Sequence, residues 1–323
     1  KLKTGGPSYD VIIPSDYMVG RLIAEDMLEP LNFDNIPNYQ YVDESFRNTA
    51  YDPDNLYSVP YTWGTVGLIY NSKYVDNVPG WSSLWDPQYA GKILMFDNCR
   101  DAFAIAELRL GYSINSSDPA EYQEAANLLQ QQKPYVQQYV MDQIFSKMER
   151  EEAWLAPYYA GDYLTMVEEN PDLSFCLPEE GFNMFIDAMC IPKGCTNKEG
   201  AEAFINFLCD PEISGRNMDY LGYSTPISAA KEYMDPEVAN DPVAYPDAET
   251  LSRGSSFLAL PTESTQLMDS LWLTVKTAGG NTSFYLWSSA AVLILVVGLL
   301  TIAKIRKKRR IARRGCSRRP DNP

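Results

Sequence analysis

Apolar residues follow two different spacings along the chain, and these spacings alternate from one segment to the next. Residues 184–192 form an apolar run whose length predicts a buried strand. A short Lys-Gly turn follows, and Thr196 and Glu199 have the spacing of a capping box that starts a helix. Residues 201–208 then place apolar side chains at helical period. The segment predicts a strand, a turn and an amphipathic helix.

The same order recurs earlier in the chain. Residues 9–14 predict a short buried strand, and Ser15 or Asp16 then caps a helix. Residues 92–96 predict another buried strand, followed by a polar turn and a helix. This alternation predicts an α/β fold with largely parallel sheets. In such sheets, ligands lie at the carboxyl ends of strands and at helix N-termini.

Other segments add less regular elements. Residues 57–71 are β-rich and aromatic, and their length predicts a strand that crosses between two domains. Residues 118–140 are polar and predict mostly helix, with a break at Pro134. Residues 247–258 and 264–277 predict further helix.

Polar and aromatic residues follow several predicted strands, where a common cleft is expected. Asp187 lies inside an apolar run, and a buried acid is costly unless it is paired or meets a cation. The structural alternatives are a strand-end Asp that caps a loop and ordinary helix capping, because acids at a helix N-terminus are favoured whatever the function. The candidates are Ser15, Tyr17, Asp97, Asn98, Asp101, Tyr159, Phe185, Asp187 and Tyr223.

Residues 284–302 predict one C-terminal transmembrane helix, because they are nineteen residues without a charge and begin with interfacial aromatics. Residues 279–283 are the expected linker, and residues 303–323 are a basic tail expected in the cytoplasm by the positive-inside rule. We therefore expect a single-pass protein of the cell membrane, with its binding domain extracellular or periplasmic. A buried core helix and a C-terminal sorting signal are the alternatives.

Charge is unevenly distributed. Ten of the 27 Lys and Arg residues but one of the 43 acidic residues lie from Ala303 onward, so the preceding part has a net charge of −25. Such a surface excludes nucleic acid as an expected partner and favours a cationic ligand. Histidine is absent, which removes the commonest general base and metal ligand. No CxxC pair, Gly-x-Ser-x-Gly elbow or P-loop is present. We expect neither catalysis nor a cofactor nor a metal.

Six stretches carry a resemblance to a known family: KLKTGGPSYDVIIPSDYMV, YSVPYTWGTVGLIYN, LWDPQYAGKILMFDNCRDAF, FIDAMCIPKGCTNKEGAEAFINFL, LGYSTP and DPEVANDPVAYPDAET. In this order, from residue 1 to about residue 253, the chain resembles spermidine/putrescine-binding proteins, the solute-binding components of polyamine ABC transporters. The resemblance implies a two-lobed, type II periplasmic-binding-protein-like fold with hinge crossover strands. Residues 1–63 and 188–225 would form the first lobe, and residues 64–187 and 226–278 the second.

The resemblance also implies roles for individual residues. Asp187 matches an aspartate that holds an amine, and Asp101 matches a glutamate that contacts one. Asn98 stands where the family often has an aspartate, and Asp97 beside it is a candidate for the missing charge. The family's late glutamine falls near Phe257, so we expect that contact to be lost.

Aromatic and hydroxyl positions carry over in the same way. Tyr159 and Phe185 take tryptophan positions of an aromatic box, and Tyr223 matches the tyrosine of a Gly-Tyr-x-Thr-Pro turn. Ser15 and Tyr17 match a serine and a tyrosine of a first-lobe turn. The family opens with a strand and a helix that this sequence lacks, and a fragment of a permease–binding-protein fusion is one hypothesis that would explain their absence.

The expected function is therefore extracellular polyamine binding and delivery to an ABC transporter permease with its ATPase. Three alternatives stay open at this point. The same fold could bind another small cationic or polar solute, or the chain could be a membrane-tethered solute sensor. A third alternative is an extracellular hydrolase that uses paired acids such as Asp101 and Asp187.

Overall fold

Strands and helices alternate along residues 9–278, the part of the chain that the computed structural model describes. The strands are β1 (Ser58–Asn71), β2 (Ile93–Phe96), β3 (Val136–Val140), β4 (Leu155–Tyr159), β5 (Leu173–Cys176), β6 (Phe182–Cys190) and β7 (Gly254–Ser256). The helices are α1 (Asp16–Ala24), α2 (Cys99–Leu110), α3 (Pro119–Gln132), α4 (Ile144–Glu149), α5 (Ala160–Glu169), α6 (Lys198–Leu208), α7 (Pro211–Leu221), α8 (Pro236–Ala239), α9 (Ala248–Leu251) and α10 (Thr262–Thr277). Short 3-10 helices cover Phe33–Asn35, Pro37–Tyr41, Glu44–Phe46, Trp81–Trp85, Pro87–Tyr89, Lys133–Tyr135 and Ser228–Tyr233.

The long strand β1 is the centre of a seven-stranded mixed sheet, in which six strands have the order β3-β2-β4-β1-β6-β7 and β5 pairs with β1 off this path. Its first half, from Ser58 to Thr65, pairs with β6, and its second half pairs with β4 and β5. All three partners run antiparallel to β1, whereas β2 pairs in parallel with β3 and β4, and β6 with β7. The expectation of largely parallel sheets is therefore wrong, because alternation of strands and helices does not fix strand direction.

The buried side chains form one large core and four smaller ones. The large core contains Trp81, Phe96 and Phe103 and packs around β2, β4 and the second half of β1. Two of the smaller cores lie where β1 begins and β6 ends, at the far end of this strand pair from the large core. One of them contains Val59 and the other contains Cys190. The two strands thus run through both regions. The lobe boundaries given above, at residues 63/64, 187/188 and 225/226, remain predictions.

Several local predictions are corrected. The N-cap of α6 is Asn197, whose side chain accepts the Gly200 N–H at 3.2 Å, so Thr196 does not cap this helix. Residues 9–14 contribute only isolated bridges such as Ile12 to Cys190, and Ile13 is exposed. Residues 136–140 form β3 rather than helix. This strand lies at the sheet edge and is mostly exposed or half-buried, so it lacks an apolar run. Residues 247–258 likewise divide into α9 and β7.

Residues 1–8 and 279–323 lie outside the described part, and so do the predicted linker, transmembrane helix and basic tail. Among residues 9–278, no helix combines the length and the apolar character needed to cross a bilayer. The five cysteines of this part are all unpaired, and Cys190 and Cys209 are buried. Burial raises the pKa of their thiols, which is typical of inert structural cysteines.

Candidate functional site

A single cleft gathers most of the polar and aromatic residues singled out in the sequence. It encloses about 210 Å³. Its lining residues are Ser15, Asp16, Tyr17, Asn98, Asp101, Tyr159, Asn183, Phe185, Asp187, Tyr223 and Phe257. Eight of the nine candidates are in this set, and Asp97 is not. Their roles as ligand-binding residues remain predictions.

One wall of the cleft is strand β6. Asn183, Phe185 and Asp187 alternate with buried or packed neighbours and therefore share one face of the strand. Phe185 meets Tyr159 edge to face, with ring centroids 5.3 Å apart. Opposite Phe185 on β1 lies Gly64, where an added Cβ would approach the Phe185 ring to 2.8 Å. Because Gly64 has no side chain, the Phe185 ring can pack over it and form part of this wall.

The first turn of α1 lies against the end of this wall. Ser15 occupies the N-cap position of α1, but its side chain caps no N–H of the helix. Ser15 instead forms a β-bridge with Asp187, and hydrogen bonding from Ser15 lowers the pKa of the Asp187 carboxyl. Burial is the larger cause and acts in the other direction, so the pKa of Asp187 is raised overall. The pairing of Ser15 with Asp187 brings the start of α1 against strand β6.

Asp16 lies in the same wall and is completely buried. Its Oδ1 accepts the backbone N–H of Tyr17 at 2.7 Å, whereas its Oδ2 has no hydrogen-bond partner in the described part of the chain. Burial raises the pKa of Asp16 to about 7, and the nearby charge of Asp187 adds to this increase. Backbone N–H groups of Tyr17 and Ile186 act in the opposite direction. A positive group that approaches this carboxyl would favour its ionised form.

The first turn of α2 supplies the facing acid. Asn98 caps this helix, since its Oδ1 accepts the Arg100 N–H at 2.9 Å. Asp101 is buried in the same first turn, and the Tyr159 hydroxyl donates to its Oδ2 at 3.3 Å. Burial raises the pKa of Asp101 to about 7, although Tyr159 and the Arg100 charge lower it. Asp101 is therefore a second carboxyl whose charge is not neutralised by a direct partner.

Asp97 is directed away from the cleft. It is exposed, and its carboxylate forms an ion pair with the Lys276 ammonium at the end of α10. Its backbone N–H bonds to the Val140 carbonyl at 2.9 Å, which holds the turn at the edge of β3. The structure thus does not bring Asp97 to the position left neutral by Asn98.

The remaining walls are aromatic. Tyr223 lies 6.2 Å from Phe185 between ring centroids, and its hydroxyl donates to Asp162 Oδ1 at 3.0 Å. Phe257 meets Tyr17 edge to face at 5.8 Å, and the Arg100 guanidinium lies 4.5 Å from the Phe257 ring centroid. Phe257 thus fills a corner of the cleft with an apolar ring.

The sequence reasoning missed Asp16 and Asn183 as site residues. Asn183 shares the period-2 face of Phe185 and Asp187, so extending that alternation by two residues would have found it. Asp16 lies between two candidates, Ser15 and Tyr17, and was interpreted only as a possible helix cap. Within residues 9–278, no three His, Cys, Asp or Glu side chains cluster in a way that could hold a metal ion.

Three carboxyls in a cleft with aromatic walls favour a ligand that carries positive charge on an apolar skeleton. Carboxylates hold cationic groups, and aromatic faces attract them and cover methylene groups. The α/β fold and the cleft therefore define a binding protein for a small solute.

Comparison with known proteins agrees with this class. Residues 1–246 match the family described as bacterial extracellular solute-binding protein. The spermidine/putrescine-binding periplasmic protein of Escherichia coli (strain K12) is 35% identical over 257 residues, which are 79% of this chain and 74% of that protein. A structure described as a spermidine/putrescine ABC transporter from Listeria monocytogenes superposes with a TM-score of 0.82 at 35% identity and covers 85% of this chain and 86% of its own.

A second solved structure leads to the same family. The spermidine/putrescine ABC transporter substrate-binding protein PotD from Streptococcus pneumoniae gives a TM-score of 0.76 at 35% identity, with 86% of both chains covered. The chain therefore belongs to the bacterial extracellular solute-binding protein family. Membership confirms the α/β periplasmic-binding-protein-like fold, and it confirms a solute-binding rather than an enzymatic role.

Proposed function

We propose that this protein binds a polyamine, spermidine or putrescine, in the cleft and delivers it to the permease of an ABC transporter. The observation that carries the proposal is that the carboxyls of Asp101 and Asp187 line one cleft without an ion pair to any Lys or Arg of residues 9–278. Relatives at 35% identity that are named for spermidine and putrescine binding support the same ligand class.

The binding chemistry follows from the two kinds of wall. Each ammonium of a polyamine replaces its hydration with a carboxylate partner, which offsets the cost of keeping Asp101 or Asp187 ionised in a buried place. The methylene chain between the ammonium groups packs against Tyr159, Phe185 and Tyr223. Cation–π contacts contribute about 0.5 to 2 kcal/mol each. A neutral sugar lacks the charge that these acids require.

Delivery requires that the ligand be enclosed and then released. In the proposal, residues 1–63 with 188–225 and residues 64–187 with 226–278 act as two lobes that close over the ligand by hinge motion. The crossover segments β1 and β6 contribute to the cores on both sides of the cleft, as a hinge of this kind requires. Closure would present a ligand-dependent surface to the permease, whose ATPase drives uptake.

Attachment to the membrane is a separate part of the proposal. Residues 284–302 carry no charge and are followed by a basic tail, a pattern that favours a single span with residues 9–278 outside the cytoplasm. Expressed in bacterial membranes, the chain should resist alkaline extraction, and protease added from outside should digest the binding domain. Release of the intact chain by alkaline carbonate would contradict the anchor and leave the ligand proposal untouched.

Isothermal titration calorimetry of the full chain tests the binding proposal. Putrescine and spermidine are the probes, and sucrose is the neutral control. We expect micromolar or tighter binding of a polyamine, no heat with sucrose, and strong loss of binding in Asp187→Ala. A folded protein that binds neither amine would overturn the proposal and leave the family assignment for the fold alone.

A further inference from the structure

Two oxygen atoms in residues that line the cleft have no hydrogen-bond donor among residues 9–278. They are Oδ2 of Asp16 and Oδ1 of Asn183, and both residues are at least nine-tenths buried. Buried polar side chains are nearly always hydrogen-bonded, since an unmade bond costs about 1 to 3 kcal/mol. Acceptors that remain unpaired at a ligand cleft therefore point to donors on the ligand.

The two acceptors lie at opposite ends of one row. Asn183 and Asp187 share the cleft face of β6 and are four residues apart, which corresponds to about 13 Å along a strand. Asp16 lies at the Asp187 end, since Asp16 directly follows Ser15, which bridges to Asp187. Phe185 occupies the middle of the row. An extended ligand that lies along β6 would meet acceptors at both ends and an aromatic ring between them.

The charged groups near Asp16 leave its carboxyl without a direct counterion. Asp187 on β6 adds negative charge, and the charge of Arg100 on α2 compensates in part. The Arg100 guanidinium bonds instead to Asn115 Oδ1 at 2.9 Å and to the Leu258 carbonyl at 3.3 Å. No ion pair joins Arg100 to Asp16 within residues 9–278. A ligand ammonium at this end would therefore meet both Asp16 and Asp187.

We infer that Asp16 and Asn183 are ligand-binding residues that accept hydrogen bonds from N–H groups at the two ends of an extended polyamine. The inference rests on the proposed function and makes it more specific. A linear triamine such as spermidine is long enough to use both ends of the row, whereas the shorter diamine putrescine is held at the Asp16 and Asp187 end. The cleft is thus built to prefer the triamine, and Asn183 contributes to that preference.

Calorimetry with putrescine and spermidine on three forms of the full chain tests this. Asp16→Asn should weaken both amines about tenfold or more, because it removes a charged acceptor. Asn183→Leu should weaken spermidine about fivefold and leave putrescine within about twofold, because one neutral acceptor is lost at the far end. Titrations in two buffers with different ionisation enthalpies should also show that Asp16→Asn releases fewer protons on binding than the parent chain.

Two matched substitutions control for the removal of a buried polar atom as such. Glu107 Oε1 and Thr65 Oγ1 are likewise buried without a partner, but neither residue lines the cleft. Glu107→Gln and Thr65→Val should therefore leave both affinities unchanged. If Asn183→Leu does not fold, Asn183→Ala removes the same oxygen without adding bulk.

The outcomes separate the two proposals. If the parent chain binds a polyamine but Asp16→Asn and Asn183→Leu bind like the controls, the inference is wrong and the proposed function stands. If the parent chain binds neither amine, the proposed function fails and the inference fails with it. Equal weakening of spermidine and putrescine by Asn183→Leu would overturn the assignment of Asn183 to the far end.

Discussion

The hydroxyl of Tyr223 donates a hydrogen bond to Asp162 Oδ1 at 3.0 Å, and this bond joins the turn after α7 to the first turn of α5. The Tyr223 ring lines the cleft, whereas Asp162 does not. Burial raises the pKa of Asp162 to about 6, and the bond from Tyr223 lowers it. The bond therefore fixes the orientation of a cleft wall from behind, and two predictions follow from how it is packed.

The first prediction concerns Gly161, which lies under the Tyr223 ring. A Cβ at this position would come within 2.6 Å of a ring carbon, so Gly161→Ala should displace the ring. We expect a loss of about 1 to 3 kcal/mol in the free energy of unfolding and weaker polyamine binding. Gly20→Ala in α1 is the matched control, because its Cβ would meet only ordinary contacts at 3.5 Å. That variant should gain about 0.5 to 1 kcal/mol. Urea unfolding of both variants measures the difference, and equal effects would contradict it.

The second prediction removes the bond but keeps the ring. Tyr223→Phe leaves Asp162 buried without its donor, so the pKa of Asp162 should rise further. Because ionised Asp162 is the form that loses a partner, the variant should be destabilised by about 1 to 3 kcal/mol at about pH 8 and by less at about pH 5. Unfolding experiments at both pH values test this. A destabilisation that is the same at both would mean that the bond contributes little to holding the carboxylate.

How far the sequence specifies the fold depends on which side chains a strand buries. Strands β2 and β6 were predictable because each coincides with a mostly apolar run. Strand β3 was not, since it lies at the sheet edge, and β7 has the sequence Gly-Ser-Ser and is defined only by its pairing with β6. The spacing of apolar residues also does not show whether two strands run parallel or antiparallel, because each strand pairs with a partner far along the chain.

The cleft shows the same division between local and tertiary information. Ser15 and Asp187 are 172 positions apart, and both were candidates. Ser15 follows a predicted strand, and Asp187 interrupts the apolar run of another. Asp97 was a candidate on equal grounds, but its contact with Lys276 depends on where α10 ends, which local spacing does not show. Asp16 differs again, because only its burial and unpaired Oδ2 distinguish it from an ordinary residue of a first helical turn.

The third prediction compares two neighbours at one end of the cleft. Asp187→Ala removes the carboxylate proposed to hold an ammonium, so it should weaken polyamine binding by about 2 to 5 kcal/mol. Ser15→Ala removes a hydroxyl that only supports this carboxylate, and the loss should be about 0.5 to 1.5 kcal/mol. Calorimetric titration of both variants measures the ratio. Small and equal effects would reject this end of the cleft as the ammonium site.

The fourth prediction is that affinity increases with pH. Asp16 and Asp101 have pKa values raised to about 7 by burial, so a cation must displace protons from them at lower pH. Affinity for spermidine should therefore rise by about tenfold or more between about pH 5.5 and pH 7.5 and then level off.

The ligand-free protein should show the opposite trend in stability. Since the unfolded chain ionises these acids at lower pH than the folded one, their contribution to stability is lost as pH rises from about 4 to about 7. An affinity that is independent of pH would place the ammonium groups elsewhere.

The fifth prediction concerns Asp97, which the sequence suggested as a substitute for the charge absent at Asn98. In the structure Asp97 is exposed and paired with Lys276, so Asp97→Ala should leave polyamine affinity within about twofold of the parent chain. An exposed ion pair contributes about 0 to 1 kcal/mol, and stability should fall by no more than that.

Asn98→Ala is the informative comparison. Its Oδ1 caps α2 at 2.9 Å from the Arg100 nitrogen, and loss of such a cap costs about 0.5 to 2 kcal/mol. Asn98→Ala should therefore also disturb Asp101 in the same helical turn and weaken binding. Titration and thermal unfolding of the two variants distinguish the roles. Stronger loss of binding in Asp97→Ala than in Asn98→Ala would show that Asp97, and not Asp16, supplies the additional negative charge.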